Sequence, residues 1–104
     1  MTIRVSFMGV MRTVTRETDV GLSAAPGVTL REVLDSLERR YGPEFGRRVF
    51  RSQVPPRPLQ MHTRIFVNGN LTDEEKLDEP LPVDGGEAGC PEVLIYLMPA
   101  ATGG

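Results

Sequence analysis

Several things are scarce in this chain of 104 residues, and each scarcity narrows what it does. There is one cysteine, Cys90, so no internal disulfide forms, and the chain is read as cytoplasmic. No run of about 18 apolar residues occurs, so nothing is expected to span a membrane. The N-terminus goes straight into alternation, Thr2-Ile3-Arg4-Val5-Ser6-Phe7, without the apolar run and small-residue cleavage site of a secretory signal. A single histidine, His62, makes no catalytic site by itself. Lys76 is the only lysine, and phosphate-loop, dinucleotide and metal-ligand spacings are all missing. Aromatics make up 6% and interleave with no basic stripe, so nucleic-acid binding has little support.

What is present is ordinary for a globular protein. Hydrophobic residues at 39% and charged residues at 25% suit one domain with an adequate core. Charge is uneven. Residues 1–52 carry nine arginines against six acids, whereas residues 53–104 carry three cations against eight acids. The acidic second half holds the tail, which suggests a basic docking partner, set against simple solvation of both halves.

Periodicity sets out the elements. Ile3, Val5 and Phe7 alternate with polar positions as a strand with one buried face. Val20 and Leu22 mark a second strand at 19–23, with the connecting turn expected at 15–19. Thr29 and Glu32 have capping-box spacing, with Val28 and Val33 at the staple positions. Leu30, Val33, Leu34, Leu37 and Tyr41 then form one apolar stripe, and Gly42-Pro43 stops the helix. A short helix is expected over 44–50, and a proline-rich loop with room for partner contacts over 51–62. Arg64–Val67 is a strand, Asn68-Gly69 a tight turn, Leu71 a short returning strand, and 72–76 one helical turn. Glu92–Met98 is a strand ended by Pro99. Strand, strand, helix, loop, strand, short strand, strand gives an α+β chain. Its first and last strands pair in parallel at the centre of a mixed sheet packed on one main helix. That is the β-grasp (ubiquitin-like) connectivity, with the domain at 1–98 and a flexible tail at 99–104.

In order along the chain, these segments resemble the MoaD/ThiS-type β-grasp sulfur carrier proteins. The segments are Val5-Ser6-Phe7 with Arg12, Val28–Leu34, Tyr41-Gly42, Ile65–Gly69, Asp84-Gly85, Glu92–Ile95, Pro99 and the closing Gly103-Gly104. The extra residues between Gly85 and Glu92, Cys90 among them, depart from the pattern. The long 43–62 region makes molybdopterin-type or cysteine-type carriers a nearer likeness than thiamine carriers, and the sequence leaves those two open.

The resemblance implies a protein acted upon, with no catalytic residue, no metal and no permanently bound cofactor. An E1-like adenylating enzyme using ATP and magnesium would convert the Gly104 carboxylate to an acyl-adenylate. A persulfide or sulfide would then displace AMP to leave a thiocarboxylate. A sulfur-accepting synthase subunit or enzyme would take the sulfur, in molybdopterin-type cofactor, cysteine or thio-metabolite biosynthesis. Gly103 and Gly104 carry no Cβ to block a narrow channel, and Thr102 threads with them. Residues 99–104 reach roughly 20 Å at full extension. Docking is expected on Leu94, Tyr96 and Met98, the alternate set to Val93, Ile95 and Leu97, joined by Met8 and Val10. Cys90, Arg12 and Asp73-Glu74-Glu75 are read as incidental or solvated. Two rivals stay open: a ubiquitin-like modifier conjugated through Gly104, and a non-catalytic β-grasp interaction module whose glycines are incidental.

Overall fold

A computed structural model describes residues 2–52, 54, 57–60, 63–81 and 92–97. The N-terminal alternation becomes β1 (Thr2–Gly9), with Ile3, Val5 and Phe7 fully buried and Arg4 and Met8 exposed. Gly9 ends the strand at φ 65° and ψ −139°, a conformation a side chain would strain. The chain then turns into α1 (Val10–Thr15), a helix that the sequence periodicity did not assign, with only a connecting turn expected at 15–19. Val10, Thr13, Val14 and Thr15 are β-branched and disfavour a helix locally. Packing outweighs that preference. Met11 is fully buried, Val10 and Val14 pack on the core, and the Thr15 hydroxyl donates to the Met11 carbonyl at 3.0 Å. Val10 is thus a helix residue against the core.

β2 (Asp19–Ser23) pairs antiparallel with β1, with Val5 opposite Val20 and Ile3 opposite Leu22. α2 (Leu30–Tyr41) begins with both halves of the capping box formed. The Glu32 amide donates to Thr29 Oγ1 at 3.2 Å, and the Thr29 amide donates to Glu32 Oε1 at 2.9 Å. Its stripe of Leu30, Val33, Leu34 and Leu37 is buried. Each such side chain stabilises the fold by about 2 kcal/mol relative to exposure. Gly42, at φ 99°, ends the helix and its amide donates to the Glu38 carbonyl at 2.7 Å. Pro43 does more than stop α2. It opens α3 (Pro43–Val49), where a missing N–H leaves no bond unmade.

Phe7, Tyr41 and Phe45 form a ring cluster with centroids 5.7–6.4 Å apart, locking both helices to β1. The described part of 51–60 is tied to α2. Arg57 donates to both Glu38 carboxylate oxygens (2.8 and 3.1 Å) and to Asp35 (3.2 Å), and its guanidinium lies 4.2 Å from the Phe50 ring centroid.

β3 (Thr63–Val67) turns through Asn68 (φ 51°) and Gly69 (φ 86°) into β4 (Asn70–Thr72). Both turn residues have positive φ, as the tightest hairpin turns require. A 3₁₀ turn, Glu74–Lys76, leads to buried Leu77, whose carbonyl accepts the Arg31 amide in the first turn of α2 at 2.9 Å. β5 (Glu92–Leu97) lies at the centre, parallel to β1 and antiparallel to β3, and the sheet order is β2-β1-β5-β3-β4. This is a β-grasp fold. One sheet face meets α2 and α3, and its helix-side layer includes Ile3, Val5, Phe7, Val20, Ile65, Val67, Val93 and Ile95.

Candidate functional site

The central strand ends at Leu97, at one end of the sheet. Leu97 pairs with Gly9, the last residue of β1, and with Thr63, the first of β3. α1 starts at the same end, so Leu97 lies at a corner framed by α1, β1 and β3. Three arginines mark this corner. Arg12 Nε donates to the Phe7 carbonyl at 3.0 Å. Arg64 donates to the Thr63 carbonyl at 3.1 Å. The Arg48 carbonyl accepts the Thr63 hydroxyl at 3.0 Å. Folding therefore mixes the two halves whose charges differ in the sequence. Arg12 of the first half and Arg64 of the second stand together near the end of β5, and a basic partner no longer follows from the count by halves.

The sheet face away from the helices carries a cross-strand row. Asp19 pairs with Ser6, Ser6 with Leu94, Leu94 with Phe66, and Phe66 with Leu71. Leu94 and Phe66 are half-buried and Leu71 is 58% exposed. Ser6, Phe66, Gly69, Val93 and Leu94 line a depression of about 370 Å³. One row nearer the exit corner, Tyr96 pairs with Met8 and with Arg64, and Met8 is 40% exposed. At the far side of the face Arg4 and Asp19 approach to 3.6 Å, both well exposed. The described residues thus leave an apolar strip across β5, β3 and β4 with charged margins, the composition of a binding surface more than of a catalytic cleft.

Of the residues singled out in the sequence, Leu94 and Met8 lie on this face, and Tyr96 holds the register position beside Met8. Met98, Thr102, Gly103 and Gly104, together with Cys90 and His62, lie outside the described residues, as does the whole segment 99–104. Among the described residues no group of three His, Cys, Asp or Glu is placed to hold a metal ion. No helix of the described residues is long and apolar enough to cross a membrane. Sequence reasoning missed Phe66 and Leu71 as members of the strip. The Asn-Gly turn was the available signal, because it fixes which β4 residue faces which β3 residue.

The architecture defines a β-grasp, ubiquitin-like protein, and the solved structures it resembles have that fold. Small archaeal modifier protein 1 from Methanosarcina acetivorans superposes with a TM-score of 0.69 at 24% identity, covering 99% of this chain and 96% of that one. A Pyrococcus furiosus protein assigned as molybdopterin converting factor subunit 1 gives 0.66 at 16% identity, over 92% and 95% of the two chains. Urm1 from Trypanosoma brucei gives 0.68 at 17% identity, over 96% and 94%. No family model matches the chain, and no curated protein matches it.

Proposed function

We propose that this protein is a sulfur carrier whose Gly104 carboxylate is the group acted upon. One observation carries the reading. The central strand of a β-grasp sheet ends at a framed corner beside an apolar strip, and the sequence beyond it closes on Pro99, Thr102 and Gly103-Gly104. The likeness to a modifier protein and to an assigned molybdopterin converting factor subunit supports it.

In the proposed cycle the Gly104 carboxylate oxygen attacks the α-phosphorus of ATP, held with magnesium by an E1-like enzyme, and pyrophosphate leaves. Hydrosulfide, or its equivalent from a sulfur donor, then attacks the carbonyl carbon. The carbon–oxygen bond to the nucleotide breaks, AMP departs and a thiocarboxylate remains. Every catalytic group belongs to the partners. This chain supplies a side-chain-free acyl end, a tail of limited reach and the strip of Leu94, Phe66 and Leu71, with Met8 and the register position of Tyr96 beside it, on which the enzyme and the sulfur-accepting synthase dock in turn. Intact mass after incubation with the activating enzyme, ATP and a sulfur source tests it. The expected gain is one oxygen exchanged for one sulfur at Gly104, and an unchanged mass with AMP formation absent overturns it.

A second reading rests on the likeness to a modifier. The same adenylate would then meet a lysine amine of another protein and form an isopeptide bond. High-mass conjugates in the native cell that vanish on removal of the diglycine favour that acceptor over sulfur.

A further inference from the structure

The two edges of the sheet are finished differently. β4 is three residues long, which leaves little backbone for another strand to pair with. β2, at the opposite edge, is five residues long, holds no proline or lysine, and carries one charge, Asp19, at its end. The register tells which of its backbone groups are free. The Phe7 amide donates to the Thr18 carbonyl at 2.9 Å, so Thr18, Val20 and Leu22 are the residues bonded to β1. Asp19, Gly21 and Ser23 alternate with them and turn both N–H and C=O outward. Among the described residues no other strand meets that edge. Gly21 adds a second observation. Its φ is not positive, and a Cβ there would meet only Thr2 Cγ2, at an ordinary 3.8 Å. Nothing among the described residues calls for a glycine in mid-strand, where it weakens the strand, whereas close approach of another backbone does.

We propose that β2 pairs with β2 of a second copy of this chain, antiparallel about a two-fold axis at Gly21. The strand is complementary to itself in that register. Gly21 meets Gly21 at the axis, and Asp19 meets Ser23 of the second copy on either side, each pair exchanging both backbone hydrogen bonds. On the open face the Ser23 hydroxyl donates to the Asp19 carboxylate across the axis. No like charges stand opposite one another, because Arg4 lies one strand back, opposite Gly21 and 3.6 Å from its own Asp19. On the helix side half-buried Leu22, which packs on the core, meets Val20 of the second copy and loses its remaining contact with water. Five residues a side fall short of the about 1,000 Å² that a stable interface buries, so the dimer is weak and governed by concentration. The axis is perpendicular to the sheet. The two sheets therefore become one, with both apolar strips on the same face. This pairing does not depend on the sulfur-carrier reading.

Sedimentation equilibrium of the full chain, together with amide hydrogen exchange read by NMR, tests the pairing. The weight-average mass is expected to rise from monomer towards dimer as the protein goes from micromolar to millimolar. Over the same range the amides of Asp19, Gly21 and Ser23 are expected to gain about tenfold protection. Those of Val20 and Leu22, bonded to β1 in both states, are expected to change little. Gly21→Glu places a carboxylate opposite Arg4 within its own sheet and opposite itself across the axis. It is expected to keep the melting temperature at micromolar concentration and to weaken dimerisation about tenfold. A monomer at every concentration overturns the proposal and leaves the edge to a strand of another protein. Protection of the three amides that is already complete at the lowest concentration also overturns it, because a segment of the same chain then covers the edge. A dimer that Gly21→Glu leaves intact puts the interface elsewhere and overturns it too.

Discussion

Gly46 sits inside α3, where glycine costs about 1 kcal/mol relative to alanine. The reason it is there is non-local. A Cβ at 46 would collide with the Glu38 carboxylate. Such an end usually swings aside, but this one is gripped by Arg57 at 2.8 and 3.1 Å, with Arg57 only 15% exposed. Gly46→Ala is therefore expected to destabilise by about 1–3 kcal/mol, read as a lower denaturant midpoint at constant slope, despite the better helix propensity. Arg57→Ala is expected to cost a similar amount by stranding Glu38 and Asp35. The double variant should cost less than the sum, because a released Glu38 can move off the new methyl. Strict additivity would show that the clasp does not hold Glu38 in place. Tyr41 gives a second residue-scale test. Burial, and then its 2.8 Å hydrogen bond to Glu17, push the phenol above its ordinary value. The folded state thus holds the proton more tightly than the unfolded chain. That contribution is complete below about pH 10 and is lost as pH rises through the folded value. The melting temperature of wild type should fall more steeply than that of Tyr41→Phe above about pH 10, and parallel curves would refute the assignment.

At the scale of elements, legibility follows how local each cause is. α2 was readable to its ends because the cap, the stripe and Gly42 all lie within its own sequence. Thr29→Ala should lower stability by about 1 kcal/mol, measured by chemical denaturation, since the Glu32 amide then loses its acceptor. The hairpin of β3 and β4 was readable for the same reason, from Asn68-Gly69. α1 was not. Its β-branched residues argue against a helix, and only the burial of Met11 against elements distant in sequence decides otherwise. The clasp on 51–60 was equally hidden, because Arg57 and Glu38 are nineteen residues apart. The candidate site was half legible. The alternate sets of β5 were visible from period two, but both sets are apolar, so β5 alone does not say which one faces the helices. Register with β1 decides it. Leu94 pairs with Ser6, one residue from buried Val5 and Phe7, and so shares the face of Arg4 and Met8.

At the scale of the whole molecule, the proposed function separates two jobs that a catalytic cleft would merge: a surface that docks and a tail that reacts. The strip of Ser6, Leu94, Phe66 and Leu71 runs across four strands of the sheet, whereas the carboxylate proposed to react follows Leu97 in sequence by seven residues. If both act on the same enzyme, their losses must differ in kind. Leu94→Glu puts a charge into the strip without touching the helix-side core, so its stability change should stay near 1 kcal/mol. Its defect should appear as a KM for activation raised about tenfold, roughly 1.4 kcal/mol of lost docking, with kcat kept. Removing Gly103 and Gly104 should abolish AMP formation at an unchanged melting temperature and leave docking whole. The tail-deleted chain is then expected to inhibit activation of wild type competitively, and the same deletion carrying Leu94→Glu is expected to inhibit about tenfold more weakly. Equal inhibition by the two would place docking elsewhere on the body, and no inhibition by either would mean that the tail itself supplies the affinity.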